Sequence, residues 1–316
     1  MAALVFSGCS LIQPDPAPTP MPEPVEPVEP EAEVVVVPTL PAPAKKTPST
    51  LPAPPPLPPL AIVLTSGVSA YADVAEELTQ RFENHTIYNL AEDARPPVSI
   101  LRLINDTDSS VVVAIGLRAA VSSIALANKP VVFSQVFNHQ DLPTDNSRGV
   151  SAIAPLDAQI AAWKALDPSI SRVGAIVGTG HETLIAEAEV AAERHGLELL
   201  AHVADSDQET LFAFKRMIRN IDAFWLFPDN RILSPRALQE IIASTKERRI
   251  PMLVPTESML AMGADVSIST VASDIADVIT DIIRQIQVGN FERVPVISPL
   301  REIRVVSYDP TRVADR

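Results

Sequence analysis

The stretch "FWLFPDN", residues 224 to 230, decides how the fold is interpreted, because large apolar side chains end abruptly in two short polar ones. A continuous apolar run is typical of a strand that is buried on both faces of a parallel sheet. Asp229 and Asn230 are residue types that strands usually exclude. Ligands of open α/β sheets bind beyond the carboxyl ends of the strands, so we expect both side chains to face a crevice. An ordinary Asx turn, in which either side chain bonds its own backbone, is the alternative.

Short aliphatic strands and amphipathic helices alternate on both sides of this stretch. The residues 234–249 form a predicted helix that begins at Ser234 and Pro235, a favourable N-cap and first-turn pair. The pattern predicts an α/β fold of two doubly wound parallel-sheet lobes with a central cleft. We assign residues 61–152 and about 259–300 to lobe 1, and 153–258 and about 301–316 to lobe 2. Hinges are expected near 150–156 and 256–263.

The region before the lobes is rich in proline. Residues 14–60 contain 18 of the 31 prolines of the chain. Proline removes backbone donors and fixes φ, so this segment is predicted to be an extended, disordered tether that forms neither helix nor sheet.

The only cysteine, Cys9, lies in "LVFSGCS". Small residues before a cysteine resemble a bacterial lipobox, so residues 1–13 are interpreted as a lipoprotein signal remnant with Cys9 as the lipidation site. An exposed thiol in a disordered tail is the alternative. Ser10 after the cysteine favours the outer membrane over the inner one, with the folded part in the periplasm.

Composition excludes several classes of partner and site. The formal net charge of −14 disfavours nucleic acid and anionic lipid headgroups. A single cysteine allows neither an intramolecular disulfide nor a zinc site built from thiolates. No apolar run is long enough to span a bilayer as a helix.

The order of pieces resembles the ABC-transporter substrate-binding protein family, with the type I periplasmic-binding fold, in its amino-acid-binding lipoprotein group. The resemblance rests on "RVGAIVG", "AEVAAERHGLELL" and the long segment from "IDAFWLFPDN" to "IIRQIQVGN". It implies a clamp that closes on a small polar solute and passes it to a permease. It also implies that the ligand-binding residues follow the strands: Ser66, Gly67, Gly116, Ser134, Gln135, Asp229, Asn230, Glu257 and Ser258.

Two loops depart from the family pattern, "FNHQ" (137–140) and "GTGHE" (178–182). They motivate an alternative function, an envelope interaction or structural lipoprotein whose cleft has lost solute binding.

Catalytic chemistry is not predicted. "GTGHET" (178–183) has only two of the glycines of a dinucleotide loop, and a plain strand-to-helix turn is the preferred interpretation. The five histidines are scattered, and His181 is interpreted as an exposed loop residue, with a polarising role in the cleft as the alternative. No nucleophile, base and orienting group assemble, so we expect no enzyme, cofactor or metal site. Trp225 is expected in the core.

Overall fold

The computed structural model describes residues 33–37 and 56–307. The described residues contain thirteen strands and eight α-helices. The strands are β1 (Glu33–Val37), β2 (Leu60–Leu64), β3 (His85–Asn89), β4 (Val111–Ile115), β5 (Val131–Ser134), β6 (Ser147–Val150), β7 (Arg172–Gly178), β8 (Glu198–Ala204), β9 (Ala223–Leu226), β10 (Met252–Val254), β11 (Val266–Ser269), β12 (Ile297–Ser298) and β13 (Ile303–Ser307). The helices are α1 (Ser69–Arg81), α2 (Pro97–Asn105), α3 (Leu117–Leu126), α4 (Leu156–Leu166), α5 (Glu182–Arg194), α6 (Asp207–Met217), α7 (Pro235–Arg248) and α8 (Ala272–Gln287).

The first lobe is built on a parallel sheet in the order β12-β6-β5-β4-β2-β3. Helices α1 and α8 pack together on one face of this sheet, and α2 and α3 cover the other. Both faces of β2 and β4 are buried, which explains why these strands consist of uninterrupted aliphatic residues.

The second lobe has a sheet in the order β1-β13-β11-β10-β9-β7-β8. Its strands are parallel except β13, which is antiparallel to both of its neighbours, β11 and β1. Helices α4 and α5 cover one face, and α6 and α7 cover the other. Trp225 lies in the middle of this sheet and is 1% exposed, as predicted. The predicted fold class, two doubly wound α/β lobes, is confirmed.

Within residues 56–307, the chain crosses between the lobes at residues 151–155, 270–271 and 299–302. The second crossing corrects our boundary at 258/259 and the hinge expected at 256–263. Strand β11 pairs in parallel with β10, through Leu253 and Val266, so it belongs to the second lobe. The connection between these strands contains only a single turn of 3₁₀ helix, Glu257–Met259. Because this connection is short, β11 lies next to β10 in the same sheet.

Strand β1 corrects the expectation that residues 14–60 form no sheet. Its five residues pair along the whole of β13, from Glu33 with Ser307 to Val37 with Ile303. The segment "EVVVV" contains no proline and four β-branched residues, so it retains every backbone donor that a sheet ladder needs. The prediction averaged over the proline-rich region as a whole and therefore missed this short segment without proline.

Several predictions concern residues outside the described part of the chain. Cys9, Ser10 and the signal remnant lie there, as do the tether residues 14–32 and 38–55. Within the described residues, no helix combines the length and the apolar character that crossing a bilayer requires.

Candidate functional site

A cleft of about 750 Å³ lies between the two lobes, at the carboxyl ends of their strands. The first lobe contributes the start of α1 and the segment after β5, and the second lobe contributes the segments after β9, β10 and β11. This is where parallel α/β sheets bind ligands, because the strand-to-helix loops and helix N-termini converge there.

The second-lobe wall is polar. Asn230 lines it after β9, and Glu257 and Ser258 line it after β10; all three are among the predicted site residues. Arg304 from β13 lies 2.7 Å from a carboxylate oxygen of Glu257, and this ion pair also borders the cleft. The wall therefore offers amide, hydroxyl and charged groups to a solute.

The first-lobe wall combines the start of α1 with one strained residue after β5. Tyr71 and Asp73 line the cleft from α1, and burial raises the pKa of the Tyr71 hydroxyl. Gln135 has a φ of 57°, a left-handed conformation that is uncommon for residues other than glycine. Its amide nitrogen lies 3.5 Å from the Thr270 hydroxyl at a lobe crossing. Gln135 was a predicted site residue; Tyr71 and Asp73 were missed because α1 was analysed only for its buried face.

Four other predicted site residues do not line the cleft. Ser66 is half-buried, and Gly67 is exposed beside Glu92. Gly116 is buried at the start of α3, and Ser134 is fully buried at the end of β5. All four follow strands, as the resemblance implied, but none of them is among the residues that line the cleft.

Asp229 was expected to face the crevice, and it points inward. The residue has no exposed surface. Its carboxylate accepts hydrogen bonds from the Gly178 backbone at 2.7 Å, the Asn138 side chain at 3.0 Å and the Arg231 backbone at 3.1 Å. The last bond closes the Asx turn that was the alternative interpretation. The protein itself therefore satisfies the carboxylate that we expected to bind a ligand.

Burial alone would raise the pKa of the Asp229 carboxyl. Hydrogen bonds from Asn138, Gly178 and Arg231 to the charged form outweigh that effect, and the pKa is lowered. Asp229 is thus a buried anion that the surrounding donors stabilise.

His181 corrects the expectation of an exposed loop residue, since it is 3% exposed. Its ring lies 4.3 Å from the ring of Phe137, centroid to centroid. The Nε2 atom is 2.9 Å from the Asn138 side-chain oxygen, and Nδ1 is 2.8 Å from the side-chain nitrogen of Gln140. The only sequence signal for these partners was the unusual "FNHQ", whose function the sequence did not reveal.

The loop at 178–183 has the geometry of a plain strand-to-helix turn. The Gly178 N–H donates a hydrogen bond to the Asp229 carboxylate. Gly180 has a φ of 88°, and α5 begins at Glu182. Among the described residues, no three His, Cys, Asp or Glu side chains cluster as a metal site would require.

Comparison with protein families matches residues 76–298 to the family described as ABC transporter substrate binding protein. The match spans well over half of the chain and includes both lobes. The chain therefore belongs to the family of ABC-transporter substrate-binding proteins, which is a family of solute-binding proteins and not a class of enzymes.

Solved structures support the fold. An ABC domain in complex with L-Trp from Streptococcus pneumonia has 18% identity and a TM-score of 0.56, with 82% of this chain and 94% of that chain covered. A second similar structure is the ligand-free, open structure of CD0873 from Clostridium difficile, a substrate binding protein with adhesive properties. It has 13% identity and a TM-score of 0.57, and the match covers 79% of this chain and 91% of that chain. A conserved domain protein from Vibrio cholerae has 15% identity and a TM-score of 0.53, and the match covers 82% of this chain and 98% of that chain. A search of curated proteins found no match to the chain.

Proposed function

We propose that this protein binds a small polar solute in the cleft between its lobes and presents it to an ABC permease. The observation that carries this proposal is the cleft itself, about 750 Å³ in volume and lined by polar groups from both lobes. Such a volume suits a small molecule, and the strand-end position matches the ligand sites of α/β sheets.

The chemistry of the cleft favours an amino-acid-like solute. Helices α1 and α8 both begin at the cleft, and both have a valine at the N-cap, Val68 and Val271. A valine side chain has no acceptor, so the first N–H groups of these helices are left for an anionic group of a ligand. The carboxylate of Asp73 and the carboxylate oxygen of Glu257 that is not paired with Arg304 line the same cleft and suit an ammonium group. The structure of similar fold that is in complex with L-Trp supports this choice of solute.

Thermal unfolding of the full chain tests the proposal. The compounds are amino acids, the matching amines without a carboxylate, the matching acids without an amine, and simple sugars. A ligand at 100 times its dissociation constant adds about 2.7 kcal/mol to the free energy of unfolding, which raises the melting temperature measurably. We expect a shift with one group of amino acids and little with their amine or acid fragments.

Two neutralising variants sharpen the test. Asp73→Asn and Glu257→Gln each remove one cleft carboxylate, and Glu247→Gln, at an exposed position of α7, is the matched control. The shift should fall for at least one cleft variant and persist for the control. If no compound stabilises the protein, solute binding is contradicted.

A second candidate function is an envelope interaction protein with a cleft that binds no solute. The observation that favours it is Asp229, whose carboxylate is occupied by Gly178, Asn138 and Arg231 and therefore not available to a ligand. Under this function, none of the compound classes changes the melting temperature.

We further propose that the protein is a periplasmic lipoprotein held at the outer membrane through Cys9, with residues 14–60 as the tether apart from β1. The lipobox-like "SGCS" and Ser10 support this. Labelling cells with a radioactive fatty acid should mark the protein and leave Cys9→Ser unlabelled. Fractionation on a density gradient should place the labelled protein with the outer membrane; recovery with the inner membrane contradicts the sorting assignment.

A further inference from the structure

The segment after β5 leaves the first lobe and reaches into the second. Residues 137–140, here called the 137–140 loop, connect two first-lobe strands, and neighbouring Val136 and Leu142 belong to the first-lobe core. Phe137, in contrast, packs against the second-lobe core, and its ring centroid is 6.3 Å from that of Phe227. The loop is therefore anchored in one lobe and buried against the other.

Asn138 makes three hydrogen bonds, and all of them cross between the lobes. Its side-chain nitrogen donates to a carboxylate oxygen of Asp229 and to the side-chain oxygen of Asn230, each at 3.0 Å. Its side-chain oxygen is 2.9 Å from Nε2 of His181. An amide has two N–H donors on nitrogen, and both are used here.

The chemistry of the amides fixes the tautomer of His181. The Asn138 oxygen can only accept, so Nε2 of His181 carries the proton and donates it. The Gln140 nitrogen can only donate, so the unprotonated Nδ1 accepts at 2.8 Å. Every polar atom of the His181 ring thus has a partner in the 137–140 loop.

We propose that the 137–140 loop is an interlobe latch, which holds the two lobes at one spacing in the absence of any solute. The bonds of Asn138 to Asp229 and His181 are partly buried and lie beside the packed ring of Phe137, so they oppose lobe separation more strongly than fully exposed polar contacts. Asp229 is the second-lobe acceptor of this latch, which gives the buried carboxylate a role that needs no ligand. The proposal goes beyond solute binding and holds whether or not the cleft binds a molecule.

Asn138→Asp tests the latch with almost no change in side-chain size. The replacement puts a carboxylate oxygen where the amide nitrogen donated, so it faces the acceptors of Asp229 and Asn230. Gln140→Ala is a milder variant at an exposed position, which removes only the bond to His181. Asn128→Asp, exposed in the same lobe, is the matched control.

The measurement is the distance between the lobes in the full chain without added solute. Spin labels are attached to cysteines at the exposed positions Glu76 on α1 and Gln239 on α7, with Cys9→Ser to prevent labelling there. Double electron–electron resonance should give one narrow distance distribution for the parent and the Asn128→Asp control. We expect a broad, shifted distribution for Asn138→Asp and a smaller broadening for Gln140→Ala.

Circular dichroism establishes that each labelled variant is folded. If Asn138→Asp does not fold, the exposed Gln140→Ala variant alone decides the outcome. Distributions that are identical in the parent and in every folded latch variant overturn the proposal. A null result in the solute screen leaves the latch unaffected, so the two proposals fail separately.

Discussion

At the scale of single residues, Asp229 is a polar side chain at a strand end that stabilises the structure from a buried position. Its carboxylate approaches the backbone of Gly178 so closely that a Cβ at position 178 would lie 2.6 Å from a carboxylate oxygen. Only glycine leaves room for this contact. The second lobe therefore encloses an anion that bonds β7, β9 and the 137–140 loop together.

Replacing Asp229 should destabilise the fold. Asp229→Ala leaves the Gly178 N–H and the Asn138 amide without their acceptor in a buried site. Unsatisfied buried donors cost about 1–3 kcal/mol each, so we expect a loss of about 2–3 kcal/mol in the free energy of unfolding. Urea unfolding provides the measurement. Asp205→Ala, at an exposed position, is the control and should change it little; an equal loss in both variants would contradict the assigned role.

His181 should make stability depend on pH. Burial lowers its pKa from the ordinary value of 6.5, and this effect exceeds the opposing influence of Asp229; Arg231 and His139 also lower the pKa, whereas Glu182 raises it. A histidine whose pKa is depressed in the folded state stabilises the protein above the unfolded pKa, about 6.5, and that stability is lost as pH falls toward the folded pKa.

The measurement is the free energy of unfolding from pH 7.5 to pH 5. The contribution of His181 should decline below about pH 6.5 by at most about 1.4 kcal/mol per pH unit. His181→Gln should have a shallower decline than the parent, and His202→Gln, at an exposed position, should follow the parent. Parallel curves for the parent and His181→Gln would refute this assignment.

At the scale of elements, the turns from strand to helix set the shape of the cleft. Gly116 ends β4 and precedes α3 with a φ of 87°. A Cβ there would lie 2.7 Å from the Thr65 hydroxyl and 2.8 Å from the Tyr71 ring, which lines the cleft. Gly116 was predicted as a ligand contact; its position in the structure instead supports Tyr71 from behind.

Gly116→Ala should therefore combine backbone strain with a clash. Gly196→Ala isolates the strain, because Gly196 has a φ of 69° and nothing within 4 Å of the added Cβ. We expect a loss of about 1 kcal/mol for Gly196→Ala, by the usual cost of alanine in a left-handed conformation, and at least about twice that for Gly116→Ala. Chemical denaturation compares the two. Equal losses would mean that Thr65 and Tyr71 move aside without cost.

At the scale of the whole molecule, two separately packed lobes are connected by the latch and, within residues 56–307, by three crossings of the chain. Each sheet has its own pair of helix layers, so each lobe can move as a body about the crossings at 151–155, 270–271 and 299–302. Motion about these segments changes the width of the cleft, and the packing of Phe137 against the second-lobe core opposes it.

A bound solute should therefore reduce the distance between the lobes. The labels at positions 76 and 239 report it directly, and the solute is the compound that stabilises the protein in the thermal assay. We expect the distribution to shift to a shorter distance, because contacts with both walls favour the closed arrangement. A stabilising solute that leaves the distribution unchanged would show that the cleft is preformed and that closure is not part of binding.

The local sequence pattern was sufficient to predict most of the secondary-structure elements of the fold. The alternation of aliphatic strands and amphipathic helices predicted the order of elements from β2 to β10 except β6, which was missed. Ser234 was identified as the N-cap of α7, where its side chain accepts from Ala237. Sequential strands and helices are fixed by periodicity and capping, which act over a few residues. The resemblance to the family supplied Gln135, Asn230, Glu257 and Ser258 as site residues; all four border the cleft, and their binding of a ligand stays a prediction.

The sequence by itself thus determined the class of fold, the family and the side of each sheet on which the cleft lies. Tertiary structure decided that β1 pairs with β13, that β11 joins the second sheet, and that Asp229 faces the interior. It also brought Asn138 to Asp229, a pair separated by 91 positions in the chain. Such pairings depend on which elements become neighbours after packing, and no periodicity or local propensity encodes the distance between residues so far apart.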